Sequence, residues 1–465
     1  MSIRLFKLYV KVPIVLLALI EGLLLVFSLH LAAALRFDGV HPSDVTPTGT
    51  LLPTAIVFAT FGMVGLFAVG LYSTRQRSTL GGMLVRVAAA VTSAMALSAF
   101  VFFLFPALAV GRGLLGITAA IAVSSLVIVR MLFERIVDQD LFKRRVLVYG
   151  AGRRAASLLA LRRRSDTRGF RIVAFIPTEG DDVTAPPDRL TDHPQDLFDW
   201  VLDKQVDEIV VAMDDRRRGF PMHEFLECRL AGIDIIELPS FLERETGKVR
   251  LDVLNPSWII FGEGFRASPL QRALERGFDV LASLALLAAA SPLMVLTFLA
   301  IRIEDGWRAP VLYRQSRVGR YSRPFDVLKF RSMSVDAEKD GAVWATRDDP
   351  RVTRVGAVIR KLRIDELPQL FNVIRGEMSF VGPRPERPEF VAQLEQTIPY
   401  YRERHTVKPG ITGWAQLCYP YGSSEKDAIE KLQYDLYYVK NRSLIFDLAI
   451  LVQTVEVVLW GKGAR

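Results

Sequence analysis

Long runs of apolar residues dominate the first third of the chain. Four such runs follow one another closely, and the second contains no charged residue. An α-helix needs about 17–25 apolar residues to cross the roughly 30 Å of hydrocarbon in a bilayer, and each run approaches or reaches this length. Four in succession are not typical of buried core helices in a soluble protein. The pattern therefore predicts four transmembrane helices, at residues 13–35, 51–71, 87–111 and 113–129.

Basic residues set the predicted orientation of these helices. They are concentrated before the first run, between the second and third, and after the fourth, whereas the other two loops contain only Arg36 and Arg112. Because cytoplasmic loops carry the excess of Lys and Arg, the N-terminus and everything after Arg130 should lie in the cytosol. Composition agrees with a membrane protein that has charged soluble parts, since 465 residues include 59 Lys+Arg and 50 Asp+Glu, a net charge of +9, with a mean hydropathy of +0.25.

A fifth apolar run, Val280–Ile301, is long enough to span a membrane but has basic residues on both sides. Near its middle, Ser291 precedes Pro292, which removes a backbone donor and clashes with the preceding turn, while the serine hydroxyl can bond a freed carbonyl. We predict a re-entrant helix over about residues 273–302 that breaks at this pair and returns to the cytosolic face. The alternative is a kinked spanning helix. A last apolar run, 444–460, contains acidic residues and predicts an interfacial or core helix.

The middle of the chain alternates predicted strands and helices from about residue 145 to residue 265. This alternation indicates a parallel sheet with right-handed crossovers, so we predict a Rossmann-like domain at 141–265. Its first strand is followed by a G-x-G-x-x-A turn, in which Gly150 and Gly152 are candidates for binding the phosphates of a nucleotide cofactor. The alternative is a turn retained for packing in a domain that binds no nucleotide.

Arginine and lysine residues surround one adjacent pair of carboxylates, Asp365 and Glu366, in the last third of the chain. Cations favour the ionised form of a carboxylate, so Asp365 should be available as a nucleophile at neutral pH. The same cations suit a diphosphate substrate, and two carboxylates beside phosphates are hard oxygen ligands for Mg²⁺. For the pair taken alone, a surface ion-pair network is the alternative.

Five segments of the same region form a recognisable set: KFRSM (329–333), DELPQLFNV (365–373), GEMSFVGPRP (376–385), KPGITGWAQ (408–416) and YDLYYVKNRSLIFDL (434–448). Together they closely resemble the bacterial sugar transferase family of polyprenyl-phosphate sugar-1-phosphate transferases, also called monotopic phosphoglycosyl transferases. The resemblance covers about 190 residues, and the preceding portions resemble the large members of that family. Residues 243–265 are similar to the branch linked with exosortase-type (PEP-CTERM) exopolysaccharide clusters. Residues 417–422 depart from the Asn-Gly-Arg of many relatives, so no sugar specificity is carried over.

The resemblance implies a two-step transfer. Asp365, matching the family's nucleophile, would attack the sugar-bearing phosphorus of a UDP-sugar and release UMP, and polyprenyl phosphate would then attack the phosphosugar–aspartate. Glu366 matches the second carboxylate and would position Mg²⁺ or assist proton movement, and Arg360 matches an arginine that contacts phosphate. A solvated basic face or a patch that binds lipid headgroups is the alternative for the cations. The other candidates for phosphate or uridine binding, or for shaping their loop, are Lys329, Arg331, Arg384, Pro383 and Pro385.

We therefore predict a membrane protein of the α plus α/β class with three domains. These are a four-helix transmembrane domain (1–140), the Rossmann-like cytosolic domain (141–265) and an α-rich cytosolic catalytic domain (266–465) that contains the re-entrant helix. The protein should lie in the bacterial inner membrane and use a UDP-sugar, undecaprenyl phosphate and Mg²⁺ to initiate exopolysaccharide synthesis. Membrane lipid, not nucleic acid, is the expected partner. A homodimer and contacts with exopolysaccharide assembly proteins are compatible with the resemblance.

Two other functions are alternatives. A nucleotide-sensing membrane scaffold of a polysaccharide assembly complex would bind nucleotide through the middle domain and catalyse no transfer. A processive glycosyltransferase would need a metal-binding Asp-x-Asp. The one Asp-x-Asp in the sequence, Asp138–Asp140, directly follows the fourth membrane run and fits a charged helix exit instead.

Overall fold

A computed structural model of the chain describes residues 2–5, 8–37, 49–72, 80–137, 143–161, 164–167, 169–215, 220–254, 264–265, 268–335, 349–420, 422 and 424–460. The Asp138–Asp140 group and part of the 243–265 segment lie outside these residues. The chain divides into two compact units, Met1–Trp258 with Val452–Lys462 and Ile259–Leu451 with Gly463–Arg465.

Four apolar helices follow a short antiparallel hairpin of β1 (Ser2–Leu5) and β2 (Leu8–Lys11). They correspond to the four predicted runs: α1 (Val12–Arg36), α2 (Leu52–Ala68), α3 (Leu80–Leu104) and α4 (Arg112–Val137). The first, third and fourth are long and apolar enough to cross a membrane. The second has 17 residues, which is at the lower limit of a span. The chain is therefore a membrane protein, as its apolar pattern predicts.

A buried ion pair joins the first and last helices of this bundle. Arg130 Nε lies 2.7 Å from Glu21 Oε1, and Arg130 Nη2 donates to Glu21 Oε2 at 2.8 Å. The Tyr72 hydroxyl donates to the same carboxylate, and Arg130 Nη1 donates to the Leu71 carbonyl at 2.9 Å. A charge inside an apolar bundle is tolerated when it is paired and hydrogen-bonded, which explains the acidic residue that interrupts the first apolar run.

The middle domain has the predicted parallel sheet. Its strands are β3 (Arg144–Tyr149), β4 (Phe170–Ile176), β5 (Glu208–Val211) and β6 (Asp234–Glu237), in the order β4-β3-β5-β6. All four coincide closely with the strands that the sequence predicts at 146–149, 171–176, 208–212 and 234–237. The helices are α5 (Arg153–Leu159), α6 (Arg164–Thr167), α7 (Leu197–Asp203), α8 (Met222–Leu230) and α9 (Leu238–Thr246). Alternate residues of β3 enter separate apolar cores, with Val146 and Val148 in one and Leu147 and Tyr149 in the other.

The fifth apolar run forms a single long helix, α10 (Pro269–Asp305). It begins with an N-cap in which the Ser268 side chain accepts from Gln271 N at 3.1 Å. The predicted break at Ser291 and Pro292 is wrong as an interruption, because the helix continues through both residues. Pro292 cannot donate to the Ala288 carbonyl, but the Ser291 hydroxyl donates to that same carbonyl at 2.8 Å. The return of this helix to the cytosolic face stays a prediction.

The rest of the catalytic domain combines an antiparallel hairpin, a two-stranded parallel sheet and short helices. The strands are β7 (Leu312–Val318), β8 (Pro324–Phe330), β9 (Ser379–Val381) and β10 (Gly410–Thr412). The helices are α11 (Arg354–Lys361), α12 (Gln369–Arg375), α13 (Pro388–Thr397), α14 (Trp414–Cys418), α15 (Glu425–Asn441) and α16 (Leu444–Trp460). Short 3₁₀ helices occupy Ile364–Glu366 and Tyr401–Thr406.

The start of α16 packs as a core helix. Phe446 and Ile450 are buried, and the Tyr438 hydroxyl donates to the buried Asp447 carboxylate at 2.8 Å. This agrees with the prediction of an interfacial or core helix for the last apolar run.

Candidate active site

Asp365 lies in the 3₁₀ turn between α11 and α12. Ile364, directly before it, packs in an apolar cluster with Ile301, Phe330 and Ile359. The cluster fixes the turn against the end of α10 and the end of β8, so a short irregular segment is held by buried side chains. Asp365 itself is only 9% exposed.

The two adjacent carboxylates have different surroundings. Lys329 Nζ lies 3.1 Å from Glu366 Oε1 and Arg384 Nη2 lies 3.9 Å from the same oxygen. Burial opposes ionisation of Glu366, but Lys329 and Arg384 outweigh it and lower its pKa to about 2. At Asp365 burial and the charge of Glu366 raise the pKa above its usual value, and the nearby cations only partly compensate. The cations thus favour the ionised form of Glu366, as predicted. At Asp365 burial and the charge of Glu366 outweigh the cations.

Asp365 faces a cavity of about 320 Å³. Within the described part of the chain, Asp365 Oδ1 is buried and has no hydrogen-bond partner, which is unusual for a carboxylate oxygen. The structure brings the sequence-predicted cations to this cavity together with three further arginines. The cationic lining residues are Arg317, Lys329, Arg331, Arg351, Arg360, Arg384 and Arg387.

Arg331 lines the cavity and also forms an ion pair with the end of α10. Its side chain is 6% exposed, and Nη2 donates to Asp305 Oδ2 at 2.6 Å. Asp305 is the last residue of α10, so the ion pair ties the long helix to the strand that carries Lys329. Among the described residues, the buried Arg331 Nη1 has no acceptor.

Arg360 is placed by a contact at the opposite end of its helix. The Glu304 carboxylate accepts from Arg354 N at 2.8 Å and from Val355 N at 3.0 Å, and so caps the first turn of α11. Arg360 lies in the last turn of that helix and reaches the cavity. The sequence analysis did not identify Glu304, because a capping carboxylate supplied by another helix leaves no local pattern.

The two predicted prolines do not line the cavity and act through their carbonyls. Arg317 Nη1 donates to the Pro385 carbonyl at 3.2 Å, and Gly410 N donates to the Pro383 carbonyl at 3.0 Å. The loop that carries Arg384 is therefore joined to the β7–β8 hairpin and to β10. The predicted role of the prolines in shaping the loop stays a prediction, since any residue could supply these carbonyls.

Asn372 is a site residue that the sequence analysis missed. It is completely buried, its Oδ1 accepts from Leu328 N at 3.0 Å, and its Nδ2 donates to the Asp326 carbonyl at 2.7 Å. These bonds fix α12 against β8, and hence Asp365 against Lys329. The sequence feature that could have identified Asn372 is an amide side chain among the apolar residues of a short predicted helix.

Two adjacent carboxylates in this site, Asp365 and Glu366, are candidate ligands for Mg²⁺. No group of three or more His, Cys, Asp or Glu side chains that could hold a metal ion occurs in the part of the chain that the structure describes. Mg²⁺ is, however, commonly held by one or two carboxylates together with substrate phosphates. Asp365, with its unpartnered Oδ1, and Glu366 fit such a shared site.

The glycine turn of the middle domain is filled by the chain's own carboxylates. Gly150 has a φ of +116°, and a Cβ there would lie 2.5 Å from the carbonyl carbon of Ala212, so the glycine permits close packing. Arg153 N and Arg154 N each donate to the Asp214 carboxylate at 2.9 Å, and Ala151 N donates to Asp181 at 2.8 Å. A phosphate at this turn would have to displace these carboxylates, so the residues present do not fit one.

Comparison with known proteins gives two family models along the chain. Residues 270–461 match the model described as bacterial sugar transferase, and residues 67–219 match one described as a CoA-binding domain. The second range includes the turn occupied by Asp181 and Asp214, so the CoA that its name implies does not fit that turn.

Similar proteins include a UDP-N-acetylgalactosamine-undecaprenyl-phosphate N-acetylgalactosaminephosphotransferase of Aeromonas hydrophila, 42% identical over 260 residues, which are 56% of this chain and 60% of that protein. An undecaprenyl-phosphate glucose phosphotransferase of Komagataeibacter xylinus is 33% identical over 329 residues, 69% of this chain and 60% of that protein. The exopolysaccharide production protein PSS of Rhizobium leguminosarum bv. phaseoli is 39% identical over 197 residues, 41% of this chain and 98% of that protein.

The chain thus contains a membrane bundle and, further along, a cation-lined site around two adjacent carboxylates. Its last part matches the Rhizobium protein over almost the full length of that protein. The chain belongs to the bacterial sugar transferase family, as its sequence motifs predict. It spans about 60% of the length of the Aeromonas and Komagataeibacter relatives.

Proposed function

We propose that the protein transfers sugar 1-phosphate from a UDP-sugar to polyprenyl phosphate in the membrane. The observation that carries this proposal is Asp365, a buried carboxylate that lines a cation-rich cavity and whose Oδ1 has no partner within the described residues. Cationic guanidinium groups bind diphosphates and stabilise charge that develops during phosphoryl transfer. The names of the Aeromonas and Komagataeibacter relatives support undecaprenyl phosphate as the acceptor.

The reaction proceeds in two displacements at the sugar-bearing phosphorus. Asp365 Oδ1 attacks this phosphorus, the bond to the bridging oxygen breaks, and UMP leaves with the electron pair. A phosphate oxygen of the polyprenyl phosphate then attacks the same phosphorus, and the aspartate leaves as a carboxylate. The raised pKa of Asp365 makes its oxygen more basic, which strengthens it as a nucleophile once it is ionised.

The cations act on the phosphates in both steps. Lys329 and Arg384 lie beside Glu366, and with Arg331 and Arg360 they line the cavity and can neutralise phosphoryl oxygens. Mg²⁺, if bound by Asp365 and Glu366 together with substrate, would supply further charge neutralisation. Closely spaced donors in a buried site need little rearrangement as the charge develops.

Placement of the catalytic domain at the cytosolic face of the inner membrane, with α10 re-entrant, is part of the proposal. Near one end of α10, Arg276 Nη1 donates to the Val373 carbonyl at 2.6 Å, and near the other end Ile301 packs against Ile364. In a straight helix the Cα atoms of Arg276 and Ile301 would lie about 37 Å apart. Contacts of both regions with the short segment Ile364–Val373 favour a bend that returns the helix to the same face.

The decisive experiment is UMP release by the purified full-length protein in detergent, with undecaprenyl phosphate and a panel of UDP-sugars. Asp365→Asn should abolish both UMP release and the covalent phosphosugar adduct detected by mass spectrometry. Asp326→Asn, which changes an exposed carboxylate of β8, is the matched control and should leave both unchanged. A normal adduct in Asp365→Asn would disprove the proposal.

Two further measurements separate the alternatives. Cysteine labelling on both sides of Val280–Ile301 should report the cytosol, and periplasmic labelling near Arg317 would contradict the re-entrant placement. The nucleotide-sensing scaffold predicts nucleotide binding by residues 145–265 and no UMP release from any donor. The name of the Rhizobium relative supports a role in starting exopolysaccharide synthesis. Three further points stay predictions: membership of the exosortase-linked branch, a homodimer, and contacts with assembly partners.

A further inference from the structure

A second cavity adjoins the active-site cavity. It has a volume of about 340 Å³ and lies between one face of α13 and one face of α15. Side chains three and four residues apart share a helix face, which places Phe390, Gln393 and Thr397 on the first wall. The facing wall from α15 consists of Glu425, Ala428 and Lys431.

Glu386 and Phe390 line both cavities. Glu386 Oε2 lies 3.7 Å from Arg317 Nη1, which belongs to the active-site cavity. The same carboxylate interacts electrostatically with Arg404 and Lys431, which line the second cavity. The two cavities therefore adjoin at Glu386 and Phe390.

Arg404 lines the second cavity and also contacts the loop that carries the active-site residue Arg384. Its Nη1 donates to the Tyr401 hydroxyl at 2.7 Å, and its Nη2 lies 2.8 Å from Asp435 Oδ2. Nη2 also donates to the backbone carbonyl of Arg384 at 2.9 Å, so the loop that carries an active-site cation rests on this residue. The side chain is 5% exposed, and its Nε has no acceptor among the residues that the structure describes.

We propose that the second cavity binds the sugar ring of the donor, and that Gln393 and Glu425 help to select the sugar. This inference rests on the proposed function. A UDP-sugar has its sugar on one side of the diphosphate and uridine on the other, so one of the two must extend away from the cations.

The polar lining favours the sugar over the uridine. Sugar hydroxyls donate hydrogen bonds, and Glu386, Glu425 and the Gln393 amide can accept them, while Phe390 offers an apolar surface to the ring. Uracil presents mainly carbonyl acceptors and a single N–H, so a cavity with two carboxylates suits it less.

The wall of the second cavity includes Gly422, in the connection between α14 and α15. Lys431 Nζ donates to the Gly422 carbonyl at 2.6 Å and so fixes this connection against α15.

The test compares binding of nucleotides with and without a sugar to the full-length protein in detergent, by isothermal titration calorimetry. The probes are UMP, UDP, UDP-N-acetylgalactosamine and UDP-glucose, and the variants are Gln393→Ala and Glu425→Gln. Each variant should weaken binding of the preferred UDP-sugar about tenfold, which corresponds to one lost hydrogen bond of about 1.4 kcal/mol. Binding of UMP and UDP should be unchanged. Gln396→Ala, an exposed position of α13 outside the cavity, is the matched control.

The outcomes separate this inference from the proposed function. Equal weakening of UMP and UDP-sugar would assign the cavity to uridine and overturn the inference. Unchanged UDP-sugar binding in both variants, or no UDP-sugar binding by the unmodified protein, would overturn it as well. Normal UDP-sugar binding without UMP release would refute the proposed function and leave the sugar cavity standing.

Discussion

Lys329 Nζ lies 3.1 Å from Glu366 Oε1, directly beside the nucleophile candidate Asp365. The pair keeps a largely buried carboxylate ionised, with a pKa of about 2, while burial raises the pKa of the neighbouring Asp365. Two adjacent carboxylates in different environments can take different roles in one reaction. Here Glu366 is the charge partner of the cations, and Asp365 keeps an oxygen available to the substrate.

Lys329→Met should reduce the rate of UMP release about 100-fold, because it removes a phosphate-binding cation and leaves Glu366 with a distant partner only. The measurement is steady-state UMP release under saturating UDP-sugar. Lys361→Met, which removes an exposed lysine of the neighbouring helix α11, is the control and should retain the original rate. Equal rates for the two variants would show that Lys329 does not act on the substrate.

Asn372→Leu should destabilise the catalytic domain and lower its activity together. The change leaves Leu328 N–H and the Asp326 carbonyl without their partner, at a cost of about 2–4 kcal/mol. We expect a lower thermal midpoint by intrinsic fluorescence and a reduced rate of UMP release in the protein that remains folded. Arg375→Gln, an exposed position on the same helix, should change neither. A normal midpoint with normal activity would contradict the positioning role of Asn372.

Much of the architecture was predictable because it is encoded locally. The strands of the middle domain follow from apolar runs bounded by turns, and the first strand feeds alternate residues, such as Val146 and Leu147, to cores on its two faces. The grouping of Lys329, Arg360 and Asp365 followed from family motifs, and the structure brings them to one cavity.

Contacts between distant segments could not be predicted in the same way. The hydrogen bond that Arg331 donates to Asp305 depends on where a long helix ends in space. No spacing in the sequence predicts this bond. At Pro292 the helix continues without interruption, and the Ser291 hydroxyl bonds the carbonyl that proline leaves without a donor, as the sequence allowed. Asp214 was missed because the glycine pattern describes the turn and not the carboxylate that fills it.

His405 should make the catalytic domain less stable as the pH falls. It is buried, and burial together with Arg404 and Arg402 lowers its pKa from 6.5 to about 3, although Glu395 lies 3.9 Å away. The unfolded chain therefore binds more protons than the folded one between about pH 6.5 and pH 3, and stability is lost as the pH falls through this window. His405→Asn should flatten the dependence of the thermal midpoint on pH relative to the unmodified protein, and identical slopes would contradict the assignment.

The occupied glycine turn predicts that the middle domain does not bind a dinucleotide or CoA there. Asp214 already accepts from Arg153 N and Arg154 N, the backbone donors that a phosphate would use, and Asp181 accepts from Ala151 N. Calorimetry of the full-length protein with NAD and with CoA should therefore show no binding, while UDP, which the active-site cations should hold, provides the positive control. Because a Cβ at Gly152 would lie 2.2 Å from Asp214 Oδ2, Gly152→Ala should lower the thermal midpoint without affecting UDP binding. Micromolar binding of CoA or NAD that Gly152→Ala abolishes would show instead that the carboxylates move aside for a ligand.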